Sequence, residues 1–306
     1  MGKITSIHDT FIRAIMADKN IALEYFESYL PPFVTGQLDF STLTQLPDVY
    51  VSAELQKTMS DIVYSCERKD RKGKIKVSLL IEHKSYPDKY TPVQIGSYIF
   101  SGLQKQIEND KNISLIIPVL LYHGKDKWEY YSLTNLFKNL EPEWKQFIPD
   151  FDYIYTNLNE VSDEHIEALN NKFLAASFLA LKHSFQKDWL EANIVRILLL
   201  SENVPANLLR NLIVYLFERS ELGKEKIEEL IEKIPITIKN TVMSTVNYLM
   251  KEGEKIGMTK KEYEKNRAFT QSLIRETVFD DAKIAKLVGV TVDFVASVRV
   301  ELNPGI

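Results

Sequence analysis

Ser60-Asp61-Ile62-Val63-Tyr64 and, about twenty residues on, Leu79-Leu80-Ile81-Glu82-His83-Lys84-Ser85 are the stretches whose reading decides the fold. Both are short apolar runs of the kind that pack on a pleated surface. Between them, Glu67-Arg68-Lys69-Asp70-Arg71-Lys72-Gly73-Lys74 is too polar for anything but a turn. The pair predicts a hairpin with strands over roughly 60–67 and 75–84, which sets Asp61 beside Glu82 and Lys84.

Upstream, apolar residues at helical spacing (Phe11, Ile12, Ile15, Ala22, Leu23, Phe26) predict one helix over 8–29, stopped by Pro31-Pro32. Residues 38–47 read as a loop, and 49–55 alternates at period two like a strand. Downstream, 91–109 reads as a helix with Pro92 in its first turn. Residues 114–122 form a continuous apolar run typical of a strand covered on both faces, although Pro118 interrupts it. A shorter strand over 151–155 closes the region. The expected order is helix, three-stranded antiparallel meander, helix, strand: an α/β core spanning 1–160.

From Ser162 the pattern turns helical, with helices expected over 162–184, 189–201, 205–219, 223–233 and 236–252. Lys251-Glu252-Gly253-Glu254-Lys255-Ile256-Gly257 reads as a hinge between this helical domain, 161–252, and a helical tail, 253–306. Within the tail, 280–288 and 292–298 are helical pieces joined by Gly289-Val290-Thr291, a helix-turn-helix-like arrangement. Its second helix has few Lys, Arg, Asn or Gln side chains for reading bases. Packing or oligomerisation is at least as good a role for it.

Composition sets the outer limits. The 306 residues are 45% apolar and 26% charged, ordinary for a globular chain. A net charge of −4 gives no whole-molecule basic field, so nucleic-acid binding would rest on local patches such as 68–76 at the hairpin tip. A solvated turn is an equal reading of that tip. The single cysteine, Cys66, excludes an internal disulfide and a Cys-rich zinc site. No apolar run is long enough to span a bilayer and the N-terminus has no secretory apolar core, so a cytoplasmic location is expected.

Residues two apart on a strand share a face, about 7 Å apart at Cα, so Glu82 and Lys84 point the same way and Ile81 and His83 the other. Asp61, Glu82 and the backbone carbonyl of His83 are the hard oxygens that Mg²⁺ or Mn²⁺ takes. Lys84 beside them suits a developing negative charge or an attacking water. Against this stands the chance frequency of Glu-x-Lys and the small worth of a surface ion pair. His83 is expected to face away from the metal, and His123 to sit in a strand-end turn.

Ser60-Asp61-Ile62-Val63-Tyr64, Leu80-Ile81-Glu82-His83-Lys84-Ser85 and Ile117-Pro118-Val119-Leu120-Leu121-Tyr122-His123-Gly124 together resemble the signature blocks of the Rpn/YhgA-like putative transposase family, recombination-promoting nucleases of the PD-(D/E)xK superfamily. The likeness covers roughly residues 8–160, with Ser60 standing where the superfamily motif has proline. It implies a restriction-endonuclease-like core, Asp61 and Glu82 as metal-binding carboxylates and Lys84 as the catalytic lysine. It further implies a metal-binding acid on the first helix, with Glu24 preferred to Glu27, and Gln94 as a supporting catalytic residue. The function expected is a Mg²⁺-dependent DNA endonuclease linked to recombination, with a homodimer favoured for cutting both strands. The alternative is an inactive nuclease-fold protein that binds nucleic acid or regulates.

Overall fold

The computed structural model describes residues 7–46, 62–70, 76–109, 113–220, 222, 224–277 and 279–302. The chain divides into two compact units, Met1–Val242 and Met243–Ile306.

The first unit opens with α1 (Ile7–Met16), which buries Phe11, Ile12, Ile15 and Met16 on one stripe. The single helix expected over 8–29 is two helices. Asp18 adopts an extended backbone and its carboxylate accepts from the N–H groups of Asn20 and Ile21, capping α2 (Lys19–Tyr29). The capping residue wins over the continuous apolar pattern.

A second correction concerns 38–47. Leu38–Gln45 is strand β1, not a loop. It pairs antiparallel with β2 (Ile62–Arg68), with an irregularity between Asp39 and Thr44. There Thr42 Oγ1 donates to the Asp39 carbonyl at 2.6 Å and accepts from the Glu67 N–H at 2.9 Å. A side chain thus stands in for the backbone ladder, which blurs the period-two signal. The strand expected over 49–55 lies outside the described residues.

β2 pairs antiparallel with β3 (Lys76–Lys84), from Glu67 opposite Lys76 to Ile62 opposite Ile81. Helix α3 (Thr91–Asn109) follows and leads into β4 (Leu115–Tyr122). β4 runs parallel to β3, with Glu82, His83 and Lys84 opposite Leu120, Leu121 and Tyr122. The closing strand, expected over 151–155, is β5 (Ile154–Asn157); it is parallel to β4 and pairs with it only from Val119 onward. Pro118 therefore precedes the ladder on that side of β4, which explains its tolerance in a strand. The result is a five-stranded mixed sheet in the order β1-β2-β3-β4-β5. α3 covers β4 and β5 through Ile95, Ile99, Leu120, Tyr122 and Tyr155.

The single helix expected over 162–184 is two, α4 (Asp163–Glu167) and α5 (Lys172–Lys182), the second capped by Asn171, whose side chain accepts from the Phe173 and Leu174 N–H groups; α6 (Lys187–Leu199), α7 (Ala206–Arg219) and α8 (Lys224–Lys233) follow where helices were expected. Every residue of α5 from Phe173 to Leu181 is buried, so it is surrounded by protein on all sides. α7 packs on α1, where the Tyr215 ring stacks on Phe11 with centroids 4.2 Å apart.

Ile236–Glu276 is one helix, α9, running straight through the expected hinge at 251–257. In the second unit α10 (Asp281–Val288) and α11 (Val292–Leu302) are joined at Gly289, whose φ of 80° is the left-handed conformation glycine accepts without strain. Ile284, Ala285 and Val295 form their shared core.

Candidate functional site

The described part of the site lies at the carboxyl ends of β3 and β4. Two parallel strands end together here: the His123 N–H, one residue past β4, donates to the Lys84 carbonyl at 3.1 Å. At Gly124 an added Cβ would lie 2.3 Å from the Ser85 carbonyl oxygen, so only glycine lets the two strand ends close.

The Lys84 ammonium donates to Gln94 Oε1 at 2.6 Å and lies 3.9 Å from an Asp88 carboxylate oxygen. Its side chain is only 11% exposed. Gln94 reaches it from the first turn of α3, whose start is shaped by Asp88 accepting from the Tyr90 N–H at 2.9 Å. The turn between β3 and α3 thus folds a helix back onto the last residue of the strand. A lysine so held keeps its charge in one place, without the rotamer freedom of a surface lysine.

The His83 ring meets α1: its Nε2 lies 2.7 Å from Asp9 Oδ1. Next to it His123 is fully buried, and neither ring nitrogen has a hydrogen-bond partner. The His123 ring sits 6.1 Å from His83 and 4.8 Å from His8, centroid to centroid. His8 Nδ1 in turn lies 2.8 Å from the Tyr215 hydroxyl on α7. Burial, and then the positive charge of Arg219 and of His83, pushes the His8 pKa down from 6.5 to about 4. Burial also drives His123 well below its ordinary value. Burial thus favours the neutral rings of His8 and His123, and the cluster joins the end of β3 to the helical layer.

The site residues expected from the sequence are placed unequally. Lys84 and Gln94 are in contact. Glu82 is placed by its backbone, opposite Leu120 and two residues before Lys84. Asp61 lies outside the described residues. Glu24, on α2, accepts from the Asn170 N–H at 2.8 Å, ahead of α5. Among the described side chains no group of three His, Cys, Asp or Glu is set to hold a metal ion. At the hairpin tip Arg68 pairs with Asp70 at 2.6 Å, and Lys69 caps the carbonyls of Thr35 and Gly36. Asp9 and Asp88 are the site neighbours that sequence reasoning missed. Asp88 carried a weak signal, four residues after Lys84; Asp9 carried none beyond a place at a helix start.

No helix among the described residues is long and apolar enough to cross a membrane. Comparison with known proteins gives a consistent answer. The family described as "Putative transposase, YhgA-like" matches residues 6–207. The inactive recombination-promoting nuclease-like protein RpnE of Escherichia coli K12 is 25% identical over 83% of this chain and 84% of its own. Recombination-promoting nuclease RpnD of Escherichia coli O157:H7 is 26% identical over 59% of this chain and 69% of its own. Recombination-promoting nuclease RpnA of Escherichia coli K12 is 22% identical over 81% and 84% respectively. No solved structure matches the chain. The family match covers the sheet, the Lys84–Gln94 pair and the first helices of the helical layer, and the chain belongs to the YhgA-like putative transposase family.

Proposed function

We propose that the chain is a metal-dependent DNA endonuclease with a restriction-endonuclease-like core, hydrolysing phosphodiester bonds in the service of recombination. The observation that carries the reading is Lys84, fixed by Gln94 at the end of β3 and two residues beyond Glu82 on the same strand. Relatives named recombination-promoting nucleases support it.

In sequence Asp61 directly precedes Ile62, where β2 begins, and Glu82 directly follows Ile81, the β3 partner of Ile62. Two carboxylates and the His83 backbone carbonyl make an all-oxygen donor set, which fits Mg²⁺ or Mn²⁺. Such an ion, when bound, supplies Lewis acidity and lowers the pKa of a water.

The chain's own residues do the rest. Lys84 faces the phosphoryl oxygens and stabilises the charge that grows on them as water adds to phosphorus and one P–O ester bond breaks. Gln94 holds that ammonium in place. Asp9 braces His83, and through it the strand on which Glu82 and Lys84 sit.

Purified protein should convert supercoiled plasmid DNA to open-circular and linear forms with Mg²⁺ or Mn²⁺. Asp61→Ala, Glu82→Ala and Lys84→Ala should each lose about 10²-fold or more, the usual cost of removing a preorganised charge-stabilising group. Gln94→Ala should lose less, because it acts through Lys84. Undiminished cutting by the Asp61 and Glu82 variants would sink the reading.

One observation favours a second reading: a relative matching over most of its length is named inactive. An inactive nuclease-fold module that binds nucleic acid would retain DNA without cutting it, whatever stands at positions 61, 82 and 84.

A further inference from the structure

The turn that carries β3 into α3, Ser85-Tyr86-Pro87-Asp88-Lys89-Tyr90, starts one residue past Lys84 and turns two rings to solvent. Tyr86 is 61% exposed and Tyr90 56%. Among the described residues only Tyr130 and Tyr248 are also exposed tyrosines; the others are buried or half-buried. Single exposed rings are ordinary on a protein surface. Two in one short turn, beside a charged pair at a strand end, are not scattered.

The turn is fixed. Asp88 Oδ1 accepts from the Tyr90 N–H at 2.9 Å, and the Asp88 carbonyl accepts from the Thr91 N–H at 3.1 Å. The Tyr90 carbonyl accepts in turn from the Val93 and Gln94 N–H groups, at 2.9 and 3.2 Å. Tyr90 therefore stands at the entry of the helix whose first turn carries Gln94, and Pro87 freezes one more dihedral ahead of it. Rings held on such a backbone meet a ligand with little left to order. The same Asp88 carboxylate ties them to the site, because its other oxygen lies 3.9 Å from the Lys84 ammonium. The Lys89 ammonium lies over the Tyr90 ring, 4.9 Å from its centroid, and puts a positive charge beside the aromatic surface.

Aromatic faces next to a cation suit a nucleic-acid strand whose bases are unpaired: a base stacks on each ring and a phosphate meets the cation. Inside a duplex each base is already stacked on its neighbours and offers a protein only its edges. Rings at this place gain nothing from intact duplex. We propose that the β3–α3 turn is a stacking platform for unpaired nucleotides, formed by Tyr86 and Tyr90 with Lys89 on an adjoining phosphate, and that the site at Lys84 acts where a DNA strand leaves a duplex. The second half rests on the nuclease reading above; the platform itself does not.

Fluorescence anisotropy in EDTA, where a metal-dependent site does not cut, reads binding alone. A labelled oligothymidylate should bind about tenfold or more tighter than a blunt duplex of equal length. Tyr86→Ser and Tyr90→Ser should each weaken strand binding about tenfold, with unchanged circular dichroism because both rings are on the surface. Tyr86→Phe and Tyr90→Phe, which keep the ring and lose the hydroxyl, should restore the binding that serine loses. Blunt duplex bound as tightly as the strand overturns the platform, and so do serine variants that bind the strand normally. Phenylalanine variants as weak as the serine ones also overturn it, since the hydroxyls would then be contacting phosphate. With Mg²⁺ or Mn²⁺, a duplex bearing a single-stranded flap should be cut at the junction, and the serine variants should raise its KM more than they lower kcat. Equal cutting of blunt and flapped duplex would break the link to junctions and leave the nuclease reading intact. Strand binding that depends on the rings, with no DNA cut, would sink the nuclease reading and leave the platform standing.

Discussion

Lys84 shows how far a residue's role is written in its neighbours along the chain. Glu82 and Lys84 share a strand face by spacing alone, and Gln94 falls in the first turn of the next helix, so all three were visible as candidates. Asp9 was not, because its partner His83 lies seventy-four residues away and only folding brings them to 2.7 Å. His8 is a sharper case. Folding lowers its pKa from 6.5 to about 4, so above pH 6.5 it is neutral in both states and adds no pH dependence. Between pH 6.5 and about 4 the unfolded chain binds a proton that the folded chain refuses, so stability falls with pH. The shift is worth about 3 kcal/mol at full loss. Urea unfolding across that window should show the decline, and His8→Phe, which keeps a ring but cannot titrate, should flatten it. An equally steep decline in His8→Phe would place the titrating groups elsewhere, with the buried His123 the first to examine.

At the scale of elements, the long and strongly patterned ones were legible and the capped or irregular ones were not. α3, β4 and α7 follow their apolar spacing closely. α1 and α2 part because one Asp18 carboxylate satisfies two N–H groups that a continuous helix would have bonded otherwise. β1 was hidden by the irregularity at Thr42, whose hydroxyl accepts from the Glu67 N–H in place of a ladder carbonyl. The hinge expected at 251–257 rested on Gly253 and Gly257, each costing about 1 kcal/mol in a helix. Lysines and glutamates around them are good helix formers, and a 41-residue helix absorbs that cost. Gly124 is the opposite case, a glycine whose lack of Cβ decides the geometry. Gly124→Ala brings a methyl against backbone that cannot swing aside, so it should destabilise the chain by about 2 kcal/mol. It should also separate the ends of β3 and β4 and weaken any cleavage beyond the stability loss. Thermal melting beside cleavage at a temperature where the variant stays folded checks both parts.

For the whole molecule, the family match and the physical unit end at different places. The match stops at residue 207, two residues into α7. Beyond that point Leu209, Leu212, Ile213, Tyr215 and Leu216 are all buried, and Tyr215 carries the stack on Phe11 and the contact with His8. At about 2 kcal/mol for each buried side chain, their loss removes on the order of 10 kcal/mol. That equals the whole stability of a typical domain. A chain ending at residue 207 should therefore fail to fold, while one ending at Val242 should melt cooperatively. Circular dichroism and limited proteolysis distinguish them, and a cooperative melt from the shorter chain would show the helical layer to be dispensable. Sequence alone settled the element types of the long segments, the Glu82–Lys84 spacing and the family blocks, because each depends on residues close together in the chain. Only tertiary structure decided that 38–45 would be a strand, that Asp9 would meet His83, and that α7 would seal α1. Those outcomes turn on partners far away in sequence, whose contribution appears only when the ends of β3, α1 and α7 are brought to one place.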